Sequence, residues 1–405
     1  MKRRIGKSME VKWAQDGRVV GILFHTGPSY FSYSPEWLET GHDLSPVSLP
    51  FDPRPQNILA EGCFGLPGFI SDALPDAWGT KVAEAVFARN KWGAVTPMKM
   101  LAWVGERSLG ALSFEPAMTG LEEKSNWLEN ITADRLAGEA GEILRGRVEE
   151  IAAIAEAGGT AGGAHPKALV VGHADGTLSL KRSPQAADEF PALLKLGLPE
   201  IQALCRVEYA YGLMARAAGI QVPESRLIEN GGGGHLLIHR FDWRDGRRLH
   251  LHSLSGLWHR PKGGLDYADL FRAIARLGLP REQLLQAARR MLFNLYAANL
   301  DDHGRNHAFL YDANTRQWEL SPAYDLTFAP GVLARGMTIA GEVTPSVATL
   351  RSFLGSVTIS ADEFERLTGD VLGSIRRWPE FAEAAAIPVA KVEEIAGEHR
   401  KILGR

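Results

Sequence analysis

The sequence predicts an α+β fold of two lobes, β-rich at its N-terminal end and helical at its C-terminal end. Three observations carry that expectation. Strand-like alternation opens the chain, a second strand-rich stretch follows a glycine-rich break, and helix-like spacing dominates from residue 266 onward. A doubly wound parallel sheet would instead alternate strand and helix throughout. A chain of 405 residues is long for one core, and units are expected at 1–120, 121–240 and 241–405.

The elements follow in order. "MEVKWAQDGRVVGILFHTGPSYFSYS" alternates apolar and polar residues around Asp-Gly and Gly-Pro, the pattern of a small antiparallel sheet. "GFISDALPDAWGTKVAEAVFARN" reads as helical after a turn, and "LGALSFEP" closes this region as a strand. Ala, Leu, Ile and Glu at helical spacing fill about 121–156, ending in "AEAGGTAGGAHPKALVV", whose glycines cannot sustain a helix. Strands "KALVVGH" and "TLSLKR" flank an Asp-Gly turn. A helical section is then expected over about 188–218, and strands "SRLIEN" and "HLLIHRFDW" flank a hairpin at Gly231–Gly234. Trp13, Trp37, Trp78 and Trp103 are read as core or interface anchors.

Composition narrows the function classes. Apolar content of 45% and charged content of 23% are ordinary for a globular protein. A net charge of −3 gives no global reason for direct nucleic-acid binding, and "RRIGK" and "RDGRR" are too short to change that. With only Cys63 and Cys205 there is neither a disulfide framework nor a cysteine-based zinc site. The basic start is followed by no apolar signal core, and no apolar run approaches the roughly 18 residues of a membrane span. A cytoplasmic protein without membrane contact is expected.

One stretch concentrates chemistry. "NLDDHGRNHAFLYD", residues 299 to 312, sits where a helix hands over to a strand. Asp301 and Asn306 stand as D-x-x-x-x-N, a spacing with which a carboxylate can face an acceptor hydroxyl while the amide reaches a magnesium ion. Asp325 in "SPAYDLTF" follows two short strands and suits a second metal ligand. Lys181, in the strand "TLSLKR", suits a phosphate-binding cation, with Glu208 as a candidate partner. The glycines of "GGTAGGAHPK" would let backbone approach phosphate. That segment is neither G-x-G-x-x-G nor a Walker A motif. Asp301 as a mere helix C-cap is disfavoured, since an acid is electrostatically wrong there.

Taken together, "LPDAWG", "GERSLGALSF", "GGTAGGAHPKALV", "LSLKR", "VEYAYGLMARAAGI", "IHRFDW", "HSLSGL", "NLDDHGRNHAFL" and "SPAYDLT" resemble, in order, the HipA family of bacterial serine/threonine kinases, the toxins of toxin–antitoxin pairs. The resemblance covers nearly the whole chain. It implies a bilobed, HipA-like kinase fold that uses ATP and Mg2+. Asp301 would be the catalytic base, Asn306 and Asp325 the metal ligands. Lys181 would bind phosphates, His303 would lie beside the nucleotide, and His239 and Phe241 would form the adenine hinge. The glycine-rich loop would be Thr160, Ala161, Gly162 and Gly163. Thr160 stands where the family often has an autophosphorylated serine. Asp302, often small in relatives, could add a metal ligand or face water.

The resemblance also implies a HipB-like helix-turn-helix antitoxin, DNA contact mainly through that partner, and a protein substrate in translation such as an aminoacyl-tRNA synthetase. The alternatives are a catalytically silent co-repressor and a small-molecule phosphotransferase. His303 and His307, spaced H-x-x-x-H, and His250 and His252, spaced H-x-H, also suit zinc. Against a zinc hydrolase, Gly304 weakens a helix under the first pair, and no H-E-x-x-H glutamate is present.

Overall fold

The structure is a computed structural model. It describes the chain except residues 1–5, 26, 59, 119–129, 150, 159–162, 199–202, 230–233, 262, 331–335 and 405, and the side chain of Glu61. The predicted glycine-loop residues Thr160, Ala161 and Gly162 therefore lie outside the described residues, as does most of the Gly231–Gly234 hairpin.

The opening alternation forms the sheet it predicts. Strands β1 (Ser8–Trp13), β2 (Val19–His25), β3 (Ser29–Tyr33), β4 (Gln56–Ile58) and β5 (Leu112–Glu115) pair antiparallel in the order β4-β3-β2-β1-β5. Met9, Val11 and Trp13 are buried while Ser8 and Glu10 face solvent, the period-2 signature of a half-buried strand. Between β4 and β5 run helices Gly68–Ser71, Ala77–Arg89 and Pro97–Val104. Asp76 and Thr96 cap the last two with side-chain oxygens. Trp13, Trp37, Trp78 and Trp103 are all buried, as anticipated.

Helices Ala133–Leu144 and Ala152–Ala157 lead into a second antiparallel sheet. Its strands are β6 (Lys167–His173), β7 (Leu178–Ser179), β8 (Glu189–Lys195), β9 (Ser225–Ile228) and β10 (His235–His239), in the order β7-β6-β8-β10-β9. Two features depart from the sequence expectation. Residues 189–195 are the central strand rather than part of a helix, and the helix over this region spans only Leu204–Ala217. A central strand buried on both faces reads as an apolar run without alternation, which periodicity cannot tell from a helix. The strand in "TLSLKR" ends at Ser179, so Lys181 lies beyond it.

In the C-terminal part, strands His250–Ser253, Ala308–Asp312 and Gln317–Leu320 form a three-stranded antiparallel sheet that carries the 301–307 loop. Around them pack helices Tyr267–Arg276, Arg281–Tyr296, Val347–Ser356, Ala361–Arg376, Trp378–Ala384 and Val389–Leu403. Buried apolar side chains make two cores. One runs from Met9 to Leu198 and takes in both five-stranded sheets. The other runs from Val207 to Ile395. Gly68 seats the N-terminal part on the C-terminal part: a Cβ there would lie 1.9 Å from the Gly256 carbonyl oxygen, so only glycine permits the contact. Among the described residues, no helix is long and apolar enough to cross a membrane.

Several buried histidines give the fold a pH dependence. Burial lowers His250 to about 3 and His399 to about 4. With folded values below the unfolded value near 6.5, the unfolded chain binds more protons between them, so stability falls as pH drops below about 6.5. The thermal midpoint is expected to fall steadily between pH 7 and pH 5. The variant His399→Gln should show a shallower slope, by about 1.4 kcal/mol per pH unit in that window. Identical slopes in a pH series of melting curves would contradict this.

Candidate active site

A cleft of about 970 Å³, counting the space open to solvent, lies between the second sheet and the 301–307 loop. Its lining mixes apolar side chains with a few converging charged ones, the make-up of a small-molecule site. One end is apolar, lined by Leu109, Leu193, Ile238 and Phe241; the other carries Lys195, Glu208, Asp325, Asn306 and His303.

The charged end is organised by Lys195, the last residue of β8. Its amine bonds both carboxylate oxygens of Glu208, at 2.5 and 2.6 Å, and one oxygen of Asp325. The Lys195 side chain is 4% exposed. Burial alone would lower the Lys195 amine, but the two carboxylates outweigh it and hold the amine protonated, above its usual value. Burial would likewise raise Asp325, yet the Lys195 and Lys167 cations hold it well below the usual carboxylate range. Burial and the Asp325 charge push Glu208 up, with Lys195 restraining the rise. Lys167, across from Lys195 on neighbouring β6, is lowered to about 8 by burial and by the second cation. Asp325 sits at φ +58°, a left-handed conformation tolerated better by Asp than by most residues and concentrated at functional sites.

The loop predicted to carry chemistry is held from several directions. Helix Leu254–Leu257 donates to it, from the Leu254 N–H to the His307 carbonyl at 2.8 Å and from the Ser255 N–H to the Gly304 carbonyl at 3.1 Å. Asn306 Nδ2 donates to the Asp301 carbonyl at 3.0 Å. Asn306 and His303 reach the cleft, and the Asp301 side chain is exposed. Asp302 takes neither role anticipated for it: it is buried and accepts from the Tyr267 hydroxyl.

Other predicted residues divide. His239 and Phe241 line the cleft, with the Phe241 ring 5.3 Å from that of Tyr324. The His239 N–H already donates to the Glu224 carbonyl, so its own carbonyl is the backbone group it could offer a base. Gly163 lines the cleft. Lys181 does not join this group. Its amine bonds Glu189 at 2.8 Å, at the start of β8 and the far end of that strand from Lys195. Glu208 accordingly pairs with Lys195, not with Lys181. The paired histidines do not assemble either. His252 bonds Asp72 and Ser45, His250 bonds the Leu44 carbonyl, and His307 packs edge-on against Tyr267.

Sequence reasoning missed two acids from the N-terminal part. Asp72, fully packed, accepts from His252 Nδ1, the Ser253 N–H and the Ser253 hydroxyl, beneath the helix that holds the 301–307 loop. Asp76 bonds the Gly163 N–H at 2.9 Å. "LPDAWG" was visible, but nothing local shows that its acid contacts a residue 87 positions away.

The arrangement also suits magnesium, a hard cation that takes oxygen ligands. Asp325 offers an ionised carboxylate and Asn306 an amide oxygen in one cleft. Among the described residues no group of three or more His, Cys, Asp or Glu is placed to hold a metal.

Comparisons with known proteins place this geometry. The HipA N-terminal domain matches residues 11–115 and the HipA-like C-terminal domain matches residues 159–403. A Sinorhizobium fredii protein, "Putative kinase Y4mE", is 26% identical over 350 residues, covering 78% of this chain and 76% of that protein. Among solved structures, HipA of Shewanella oneidensis, in complex with HipB and operator DNA, superposes with a TM-score of 0.70 at 18% identity. That match covers 98% of this chain and 96% of the other. The bilobed α+β arrangement is common to both.

Proposed function

The chain belongs to the HipA family, and from that premise we propose that it is an ATP-dependent kinase acting on serine or threonine of a protein. The observation that carries this reading is the Lys195 amine held between Glu208 and Asp325 in the wall of the cleft. Kinases require a strand lysine paired to a helix glutamate, beside a metal-holding aspartate. Lys195 therefore takes the phosphate-binding role expected of Lys181.

Asp301 accepts the proton of the acceptor hydroxyl, from a position open to a macromolecular substrate. Lys195 draws off charge from the phosphates, and Asn306 and Asp325 hold the metal. Bound magnesium supplies charge neutralisation at the phosphate oxygens. Leu193, Ile238 and Phe241 enclose the base, beside the His239 carbonyl. Thr160 remains the proposed autophosphorylation site. The wider proposal is a cytoplasmic toxin whose target lies in translation, with an aminoacyl-tRNA synthetase as the model substrate. It is neutralised by a HipB-like helix-turn-helix antitoxin, through which it meets DNA. The HipB and operator DNA in the Shewanella oneidensis complex support the partner.

Purified protein incubated with radiolabelled ATP and cell lysate tests the reading. Label is expected on a macromolecular acceptor with the wild type, and Asp301→Ala should lower transfer about a thousandfold while staying folded. Full transfer by that variant would refute the assignment of Asp301.

A further inference from the structure

We propose that Asp76, in the N-terminal part of the chain, is a positioning residue for Gly163 and, through it, for nucleotide binding in the cleft; the proposal rests on the kinase reading above. Its two carboxylate oxygens are divided between two tasks. Oδ1 accepts from the Ala77 N–H and caps helix Ala77–Arg89, while Oδ2 accepts from the Gly163 N–H, each at 2.9 Å. The same helix end continues the attachment. The Trp78 N–H donates to the Gly163 carbonyl at 3.2 Å, and the buried Trp78 indole donates to the Lys167 carbonyl at 2.9 Å.

Both backbone groups of Gly163 are thus held by one helix N-terminus, and the first residue of β6 is held by the next side chain. The Gly163 backbone favours glycine: its φ of +99° is a conformation that L side chains rarely adopt. Gly163 lies where Asp325 and Lys195 converge, since Asp76, Gly163, Lys195 and Asp325 line one cleft. A bond from an ionised carboxylate to a backbone N–H is of the stronger kind. It is made across 87 residues of chain, so it fixes Gly163 relative to the cleft rather than to its chain neighbours.

The sign of the effect separates positioning from charge. Asp76 adds a negative charge near a site for a polyanion. If it acted only through that charge, neutralising it would strengthen nucleotide binding. If it acts by holding Gly163, neutralising it weakens binding.

Asp76→Asn makes the distinction. Asn caps helices as well as Asp does, so its single oxygen can keep the Ala77 bond. Its amide group then presents a donor to the Gly163 N–H, and the tether is lost. The experiment measures KM for ATP and kcat, with magnesium, for wild type and Asp76→Asn. It also measures hydrogen exchange of peptides covering 163–168 without nucleotide, and the thermal midpoint. The expected result is a KM raised about tenfold, kcat within about twofold, faster exchange at 163–168 and a slightly lowered midpoint. Unchanged or lowered KM together with unchanged exchange would overturn the proposal. Absence of ATP binding by the wild type would sink the kinase reading instead, and the nucleotide-free exchange comparison would still decide the tether.

Discussion

Lys195→Met is expected to reduce phosphoryl transfer at least a thousandfold, while Lys181→Met retains it within a few-fold. The two lysines lie at opposite ends of β8, so one assay on two variants decides which amine serves the phosphates. Loss of the Lys195 amine removes the hydrogen-bond partner shared by Glu208 and Asp325, leaving two acids that face each other across the site. One of them must then take a proton, and Glu208 is the acid that burial already pushes up. Breaking a buried ion pair from one side costs about 3–5 kcal/mol, so the variant should also melt earlier. Circular dichroism at the assay temperature must show it folded before the activity is compared. Lys181 bonds Glu189 at the other end of β8, so its replacement should leave the Lys195 cluster in place. Loss of transfer in Lys181→Met alone would reverse the assignment.

The second large effect is expected at Asp325. Asp325→Asn keeps the size and removes the charge, so the metal loses its ionised ligand and transfer should fall about a thousandfold or more. Nucleotide binding in the absence of metal should hold or improve, because Lys195 and Lys167 then face the phosphates with less opposing charge. Equal kcat in wild type and variant would eliminate Asp325 as a metal ligand. The acid limb of stability offers a separate readout. A carboxylate held below its unfolded value contributes stability above about pH 4, and that contribution is lost as pH falls through the folded value. Asp325→Asn should therefore flatten the stability profile only below about pH 4, leaving the histidine-driven decline from pH 6.5 in place.

Much of this was legible in the chain because local physics dictated it. The first sheet announced itself through alternation and turn residues, and the C-terminal helices through spacing. The D-x-x-x-x-N spacing within 299–312 pointed to Asp301 and Asn306, Asp325 followed from order, and His303 came from the family resemblance. What was not legible depended on pairing. Lys195 sits at the end of "PALLK", where burial on both faces erases alternation and Pro191 argues against a central strand. The lysine in "LSLKR" looked better placed only while its strand was taken to continue past Ser179. Asp72 and Asp76 act on Ser253 and Gly163, contacts that no window of neighbouring residues contains.

The shared packing of the two five-stranded sheets has a genetic consequence. In an unbiased hunt for inactive alleles, changes at Phe31, Trp78 or Leu101, all buried in that packing, should turn up beside changes at Asp301 and Asp325. A map of such alleles would scatter from codon 31 to codon 101. Sorting them by soluble yield, before any assay, would separate the damaged scaffold from the damaged chemistry.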